Sequence, residues 1–251
     1  MAINLKSLSK PDGSRPIIAT LFGEGGMGKT TLAAMFPKPV FIRTEDGTAS
    51  LVGNDGVSLF PLSTSSQDVL DAIEALATEK HEFKTLVIDS ITQLATLIES
   101  EIVAADPKAK SINQAGGGYG AGYSTAAEKH RQIREWAGSL AYERGMNVIF
   151  IGHADTETMD LPDMDAFARY TVRMHKKSIP HYTDNVDLCG LIRLKIFVRG
   201  GEGDKKRAIS TGEREIICFP QASSVTKNRF NITEPLPFTF DGNPFSKFLA
   251  E

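Results

Sequence analysis

The chain has 251 residues, 41% hydrophobic and 24% charged, with 28 Lys and Arg against 31 Asp and Glu for a net charge of −3. This content can bury a sizeable core and fits one large α/β domain. Without an overall basic excess, any nucleic-acid surface has to be local. The two cysteines, Cys189 and Cys218, lie far apart without ligand-like neighbours, which argues against a disulfide or metal frame and for a reduced cytoplasmic setting. The opening stretch MAINLKSLSK lacks a signal-peptide core and no apolar run reaches membrane-spanning length, so no membrane association is expected.

In chain order, the apolar run from Ile17 to Phe22 predicts a strand that enters a glycine loop. Lys29 to Phe36 predicts a helix, stopped by Pro37 and Pro39. Pro39 to Arg43 predicts a second buried strand. Ser65 and Ser66 are candidate caps, with Asp68 in the first turn, for a helix carrying Val69, Leu70, Ile73, Leu76 and Ala77 at helical spacing. Thr85 to Asp89 is a third strand, followed by a helix from Ser90 to about Ala104. A helix from about Thr125 to Arg144 precedes a fourth strand, Asn147 to Gly152. Strands alternating with helices imply a mostly parallel sheet with helices on both faces. Two segments break this rhythm: Asp106 to Tyr123, with its glycine run at 116–122, and Ala154 to about Tyr182, which lacks strong periodicity. Leu191 to Arg199 and Glu215 to Phe219 predict strands joined across a turn at Gly200 to Gly212, where Lys205, Lys206 and Arg207 read as a solvated turn. The tail from Val225 is proline-rich and is expected to wrap the surface. The expectation is a single domain over 1–251, with an N-terminal arm at 1–15 and a C-terminal tail at 225–251.

The run Gly23-Glu24-Gly25-Gly26-Met27-Gly28-Lys29-Thr30 has the spacing of a phosphate-binding loop, placed between a strand and a helix. Glycines 23, 25, 26 and 28 let backbone amides turn toward an anion, with Met27 and Thr31 in the same wrap. Lys29 reaches the β- and γ-phosphates of ATP, and Thr30 ligates Mg2+. Asp89, at the end of its strand, is the expected carboxylate for that magnesium, with a helix N-cap as its alternative role. Hydrolysis also needs a group that orients or deprotonates water. Glu45 is the favoured candidate after the second strand, with Asp46 competing. His153 ends the fourth strand, either as a γ-phosphate sensor or as a histidine merely satisfied there.

These features resemble the RecA-like ATPase core, and the stretches GMGKTTLAAMFPKPVFIRTEDG, TLVIDSITQL and NVIFIGHADTE resemble phage core-only RecA-like ATPases, the fourth group of Sak-type single-strand annealing proteins. The resemblance implies a RecA-like α/β fold with a C-terminal β-hairpin. It also implies an oligomeric ATPase, a ring or a filament, that anneals single-stranded DNA in phage homologous recombination together with a single-strand-binding protein. It places two DNA loops at the two irregular segments. By the same likeness, Lys227 and Arg229 would complete a neighbour's ATP site; a plain solvated basic turn is the alternative.

The second segment begins acidic, at Asp155, Glu157, Asp160, Asp163 and Asp165, and turns basic at Arg169, Arg173, Lys176 and Lys177, with Tyr170, His175, His181 and Tyr182 interleaved. Cations that track phosphates beside aromatics that stack on bases are what single-strand binding requires. In the first segment Lys108, Lys110 and Tyr119 contribute the same way. A solvated helix face is the competing reading of this charge run. Two other function classes stand beside the DNA-stimulated ATPase. One is a regulatory ATP-binding module, such as a helicase loader or a KaiC-like switch, acting on a protein partner. The other is a small-molecule kinase, weakened by the lack of an arginine-rich lid.

Overall fold

The structure, a computed structural model, describes residues 16–199 and 207–249. The expected N-terminal arm at 1–15, the residues 200–206 with the expected turn at Lys205 and Lys206, and the last two residues lie outside the described residues.

Strand β1 (Ile18–Gly23) is buried along its whole length and feeds the glycine loop. Helix α1 (Lys29–Ala34) follows, then β2 (Pro39–Arg43), β3 (Ser58–Leu62), α2 (Ser66–Thr78), β4 (Thr85–Asp89) and α3 (Ile91–Ala105). Helix α4 (Ala121–Glu143) leads into β5 (Asn147–Met159), which turns back as β6 (Phe167–Val172). After the short α5 (Ile179–Thr183) come β7 (Leu188–Arg199), β8 (Arg207–Ile217), β9 (Lys227–Asn228) and β10 (Leu236–Phe238). The strands form one sheet in the order β10-β8-β7-β1-β5-β4-β2-β3, with β6 paired to β5 and β9 to β7. The strands from β3 to β7 in that order run parallel, which puts the ends of β1, β2, β4 and β5 on one edge: Gly23 faces His153, Asp89 faces Ile151 and Arg43 faces Asp89. The antiparallel β8 and β10 extend the sheet beyond β7.

Two apolar clusters hold the layers together. On one face, Val69, Ile73 and Leu76 of α2, Leu94 and Ile98 of α3, and Ile133, Ala137 and Leu140 of α4 pack on the sheet. On the other, Leu32 and Ala33 of α1 pack with Phe36, and the C-terminal tail covers them with Phe238 and Phe245. Continuous burial on both faces is what the unbroken apolar runs of β1, β4 and β5 require. Tyr182 of α5 is fully buried between these layers. It accepts at its carbonyl from Thr20 Oγ1 at 2.6 Å, and its hydroxyl meets His130 Nδ1 at 3.0 Å.

Most expected elements form where the sequence placed them, including the Ser65–Asp68 capping box of α2. Four differ. β3 was not expected, because Pro61 interrupts it and its side chains stay half exposed; it survives as an edge strand pairing only with β2. The segment 154–182 is not irregular: β5 continues to Met159 and pairs antiparallel with β6. Apart from Thr171 and Val172 at its root, the ladder past Ala154 is intermediate or exposed on both faces, so no alternation marks it. α4 begins at Ala121, inside the glycine run. Gly122 allows this, since a Cβ there would lie 2.2 Å from the Ile112 carbonyl oxygen. Finally, the strand expected from Glu215 to Phe219 runs from Arg207 to Ile217, so Arg207 belongs to a strand.

Candidate functional site

Beyond the end of β1 the chain turns through the glycine loop, with Gly26 and Gly28 at positive φ. A cleft of about 560 Å3 opens there, lined by Gly25, Gly26, Gly28, Lys29, Thr30 and Thr31 on one side and by Glu45, Asp89 and His153 on the other. Gly23 ends β1 beneath it, and Met27 faces away, packed against the core on the α1 side. The structure thus brings together residues from the ends of β1, β2, β4 and β5, the edge where parallel α/β sheets bind ligands.

Lys29 is only 6% exposed. Its ammonium donates to the carbonyls of Gly23 at 3.0 Å and Glu24 at 2.8 Å, so the loop satisfies its own lysine. Burial lowers its pKa, while Asp89 and Glu45 pull it back up and Arg173 adds to the lowering. A buried ammonium resting on two neutral carbonyls has a strong incentive to meet an anion.

Asp89 is also 6% exposed. Thr30 Oγ1 donates to its Oδ2 at 2.7 Å. Burial raises the Asp89 pKa, opposed first by that hydroxyl. The N-cap of α3 is Ser90, whose hydroxyl accepts from Gln93 N at 3.2 Å, so Asp89 is free of the capping role. The Asp89–Ser90 peptide bond is cis. Thr44 fixes this corner: its amide donates to the Asp89 carbonyl at 2.9 Å, its hydroxyl donates to the Ser90 carbonyl at 2.7 Å, and it accepts from Ser90 N at 2.9 Å.

Glu45 Oε1 lies 3.1 Å from His153 Nε2. That hydrogen bond lowers the Glu45 pKa against the raising effect of burial. The backbone of His153 is set by Thr92, whose hydroxyl accepts from its amide at 2.9 Å. Asp46 also lines the cleft but is mostly exposed and lies 3.9 Å from Arg43. Thr44 and Thr92 were not singled out from the sequence; only their places beside a strand end and inside a helix start could have pointed to them.

The two segments expected to bind DNA lie side by side. Tyr123 stacks on His175, with ring centroids 3.8 Å apart and planes inclined by 11°, and Lys177 Nζ donates to Ser124 Oγ at 2.8 Å. Lys108, Lys110 and Tyr119 line a groove nearby, with Tyr119 fully exposed at positive φ. Lys176 is exposed. Arg169 is tied to Glu157 at 2.6 Å across the β5–β6 ladder, and Tyr170 packs against the core. Arg173 does not line the groove; its amide donates to the His153 carbonyl at 2.8 Å and its guanidinium to the Ala154 carbonyl at 3.0 Å. Lys227 and Arg229 lie at the opposite end of the sheet from the cleft. There Lys227 donates to the Asp184 carbonyl and Arg229 pairs with the buried Asp187 at 3.0 Å.

The donor set fits a magnesium-bound triphosphate. Among the described residues no cluster of three or more His, Cys, Asp or Glu would hold a metal unaided, and Mg2+ ordinarily takes one or two protein ligands together with phosphate oxygens. No helix among the described residues is long and apolar enough to cross a membrane. A family model described as an AAA domain matches residues 15–230. Comparison with curated proteins gives no match.

Proposed function

The chain belongs to the AAA domain family of P-loop ATPases, and on that premise we propose that it binds and hydrolyses ATP and uses the cycle to bind and anneal single-stranded DNA in homologous recombination. The observation that carries the ATPase reading is the convergence of Lys29, the Thr30–Asp89 pair and the Glu45–His153 pair on one cleft at the ends of four neighbouring strands. The loop amides and Lys29 receive the phosphates, the ammonium exchanging its two loop carbonyls for phosphate oxygens. Thr30 and Asp89 would hold a magnesium ion that neutralises charge on the phosphates. Glu45, kept ionised by its bond to His153, orients the attacking water or takes its proton. His153 thereby senses the far end of the triphosphate through its hold on Glu45, and its carbonyl and that of the next residue carry Arg173.

Support for the DNA reading comes from the juxtaposition of Lys108, Lys110 and Tyr119 with Lys176 and Lys177, cations beside an exposed ring on one surface. Arg169, Tyr170 and Arg173 flank that surface as supports rather than as free contacts. The protein works as a homo-oligomer, ring or filament, alongside a single-strand-binding protein, and Lys227 and Arg229 complete the site of the next subunit. Their placement at the far end of the sheet puts their own cleft out of reach and supports that reading. One observation favours a second reading, a regulatory ATPase acting on a protein: the exposed acids Asp155, Asp160, Asp163 and Asp165 on the β5–β6 hairpin repel a phosphate backbone. Titrating ATP turnover with single-stranded DNA at several protein concentrations separates the two. Stimulation that grows with protein concentration supports annealing; no stimulation together with no gel shift supports the protein-directed switch.

A further inference from the structure

Phe240 is the most exposed aromatic side chain among the described residues of the tail. Phe238 and Phe245 are 2% and 1% exposed, whereas Phe240 is 37% exposed and lines the phosphate cleft together with Thr31. It is held there at a backbone cost, with φ at +65°, a region that a bulky aromatic rarely adopts. Its ring edge approaches the glycine loop so closely that a Cβ on Gly28 would come within 2.5 Å of Cε1 and 2.8 Å of Cζ. Phe238 meets the ring at 4.5 Å with planes inclined by 62°, and the Arg214 guanidinium carbon lies 4.7 Å from its centroid. Arg214 Nε is buried without a hydrogen-bond partner among the described residues, an orphan donor beside a π face. Phe240, Phe238 and Arg214 also line a second cavity, of about 720 Å3, so Phe240 is the wall between that cavity and the phosphate cleft.

Resting on the reading of the cleft as an ATP site, we infer that Phe240, held by Arg214, forms its nucleobase-stacking element. A nucleotide whose phosphates lie on Lys29 and Thr30 shares the cleft with Phe240, whose ring borders Gly28. A purine stacks on the exposed part of the Phe240 ring, while the Arg214 guanidinium packs against that ring and fixes its plane. Stacking needs a flat, immobilised ring, which the Phe238 and Arg214 contacts provide. Phe240 lies beyond the residues 15–230 that the family model matches, whereas Arg214 lies within them, so the stacking ring belongs to the tail of this chain.

The test is calorimetric titration of the whole chain with magnesium-ATP and, separately, with magnesium-tripolyphosphate, which shares the phosphates and lacks the base. Phe240→Ala should weaken ATP roughly tenfold and leave tripolyphosphate unchanged. Phe240→Trp should retain ATP affinity, and Phe240→Leu, which keeps bulk without a π face, should lose it. Arg214→Ala should weaken ATP in the same selective manner. Unchanged ATP affinity in Phe240→Ala, or equal loss for both ligands, overturns the inference, the second because Phe240 would then merely support the loop. If the unaltered chain binds neither ligand, it is the ATP site itself that is wrong.

Discussion

The phosphate cleft and the lysine-lined surface between the two long segments use charge in opposite ways. In the cleft, Lys29 and Asp89 are nearly sealed from solvent and each is held by named partners, Lys29 by two loop carbonyls and Asp89 by Thr30. At the surface, Lys108, Lys110 and Lys176 are exposed, and Lys177 makes light contacts with Gly120 and Ser124. Buried charge is expensive, so its geometry is dictated and each change has a large, specific effect. Exposed charge is cheap and screened, so its effects are small, additive and dependent on salt. The contrast teaches where chemistry is fixed and where partners are merely attracted.

The hardest blow to this contrast falls in the cleft. Lys29→Ala should reduce ATP turnover by roughly a thousandfold in phosphate-release assays while thermal unfolding stays cooperative; retained turnover would remove the buried lysine from the chemistry. Glu45→Gln should slow hydrolysis about a hundredfold with ATP affinity preserved, which single-turnover and binding measurements separate. Equal loss of binding and turnover would make Glu45 a wall rather than a participant. At the surface, Lys176→Ala with Lys177→Ala should weaken single-stranded DNA about tenfold, flatten the salt dependence by about two units of slope, and spare basal hydrolysis. Arg173 tests the border between the regions. It is held on the carbonyls of His153 and Ala154, next to the Glu45–His153 pair, so Arg173→Ala should alter basal ATP turnover, which Lys177→Ala alone should not.

The smallest effect concerns what anchors the surface to the core. His130 of α4 meets the buried Tyr182, a few residues after Lys177, and burial lowers its pKa to about 3 from 6.5. The unfolded chain binds the proton first on acidification. Stability from this group is therefore full above 6.5, declines as the pH falls, and stops declining only below about 3. His130→Leu should flatten part of the acid loss seen in melting temperatures across that window. An unaltered profile would mean that other groups set the acid response.

The cleft was legible because a phosphate loop is local: Gly23 to Thr30 specify their own turn, and Asp89 and Glu45 follow apolar runs whose direction a parallel sheet then fixes. His153 was legible for the same reason. The capping of α3 was ambiguous in sequence because Asp89 and Ser90 both suit it, and only the tertiary contact with Thr30 assigns them. The β5–β6 ladder escaped because it leans out of the layers, so burial imprints no period on it. β3 escaped because Pro61 is tolerated at an edge. Phe240 was invisible for a deeper reason: its significance lies in touching Gly28, and no local pattern announces a contact between opposite ends of a chain.

The packing of the tail also bears on how the protein should be handled. A fragment trimmed at residue 230, where the family match stops, would discard Phe238 and Phe245 and strip the cover from Leu32 and Phe36. Such a fragment would display a greasy flank in water and clump on expression. The stretch that a homology boundary invites an experimenter to cut away is a structural staple of the molecule, and samples meant for crystals or spectroscopy should carry it intact.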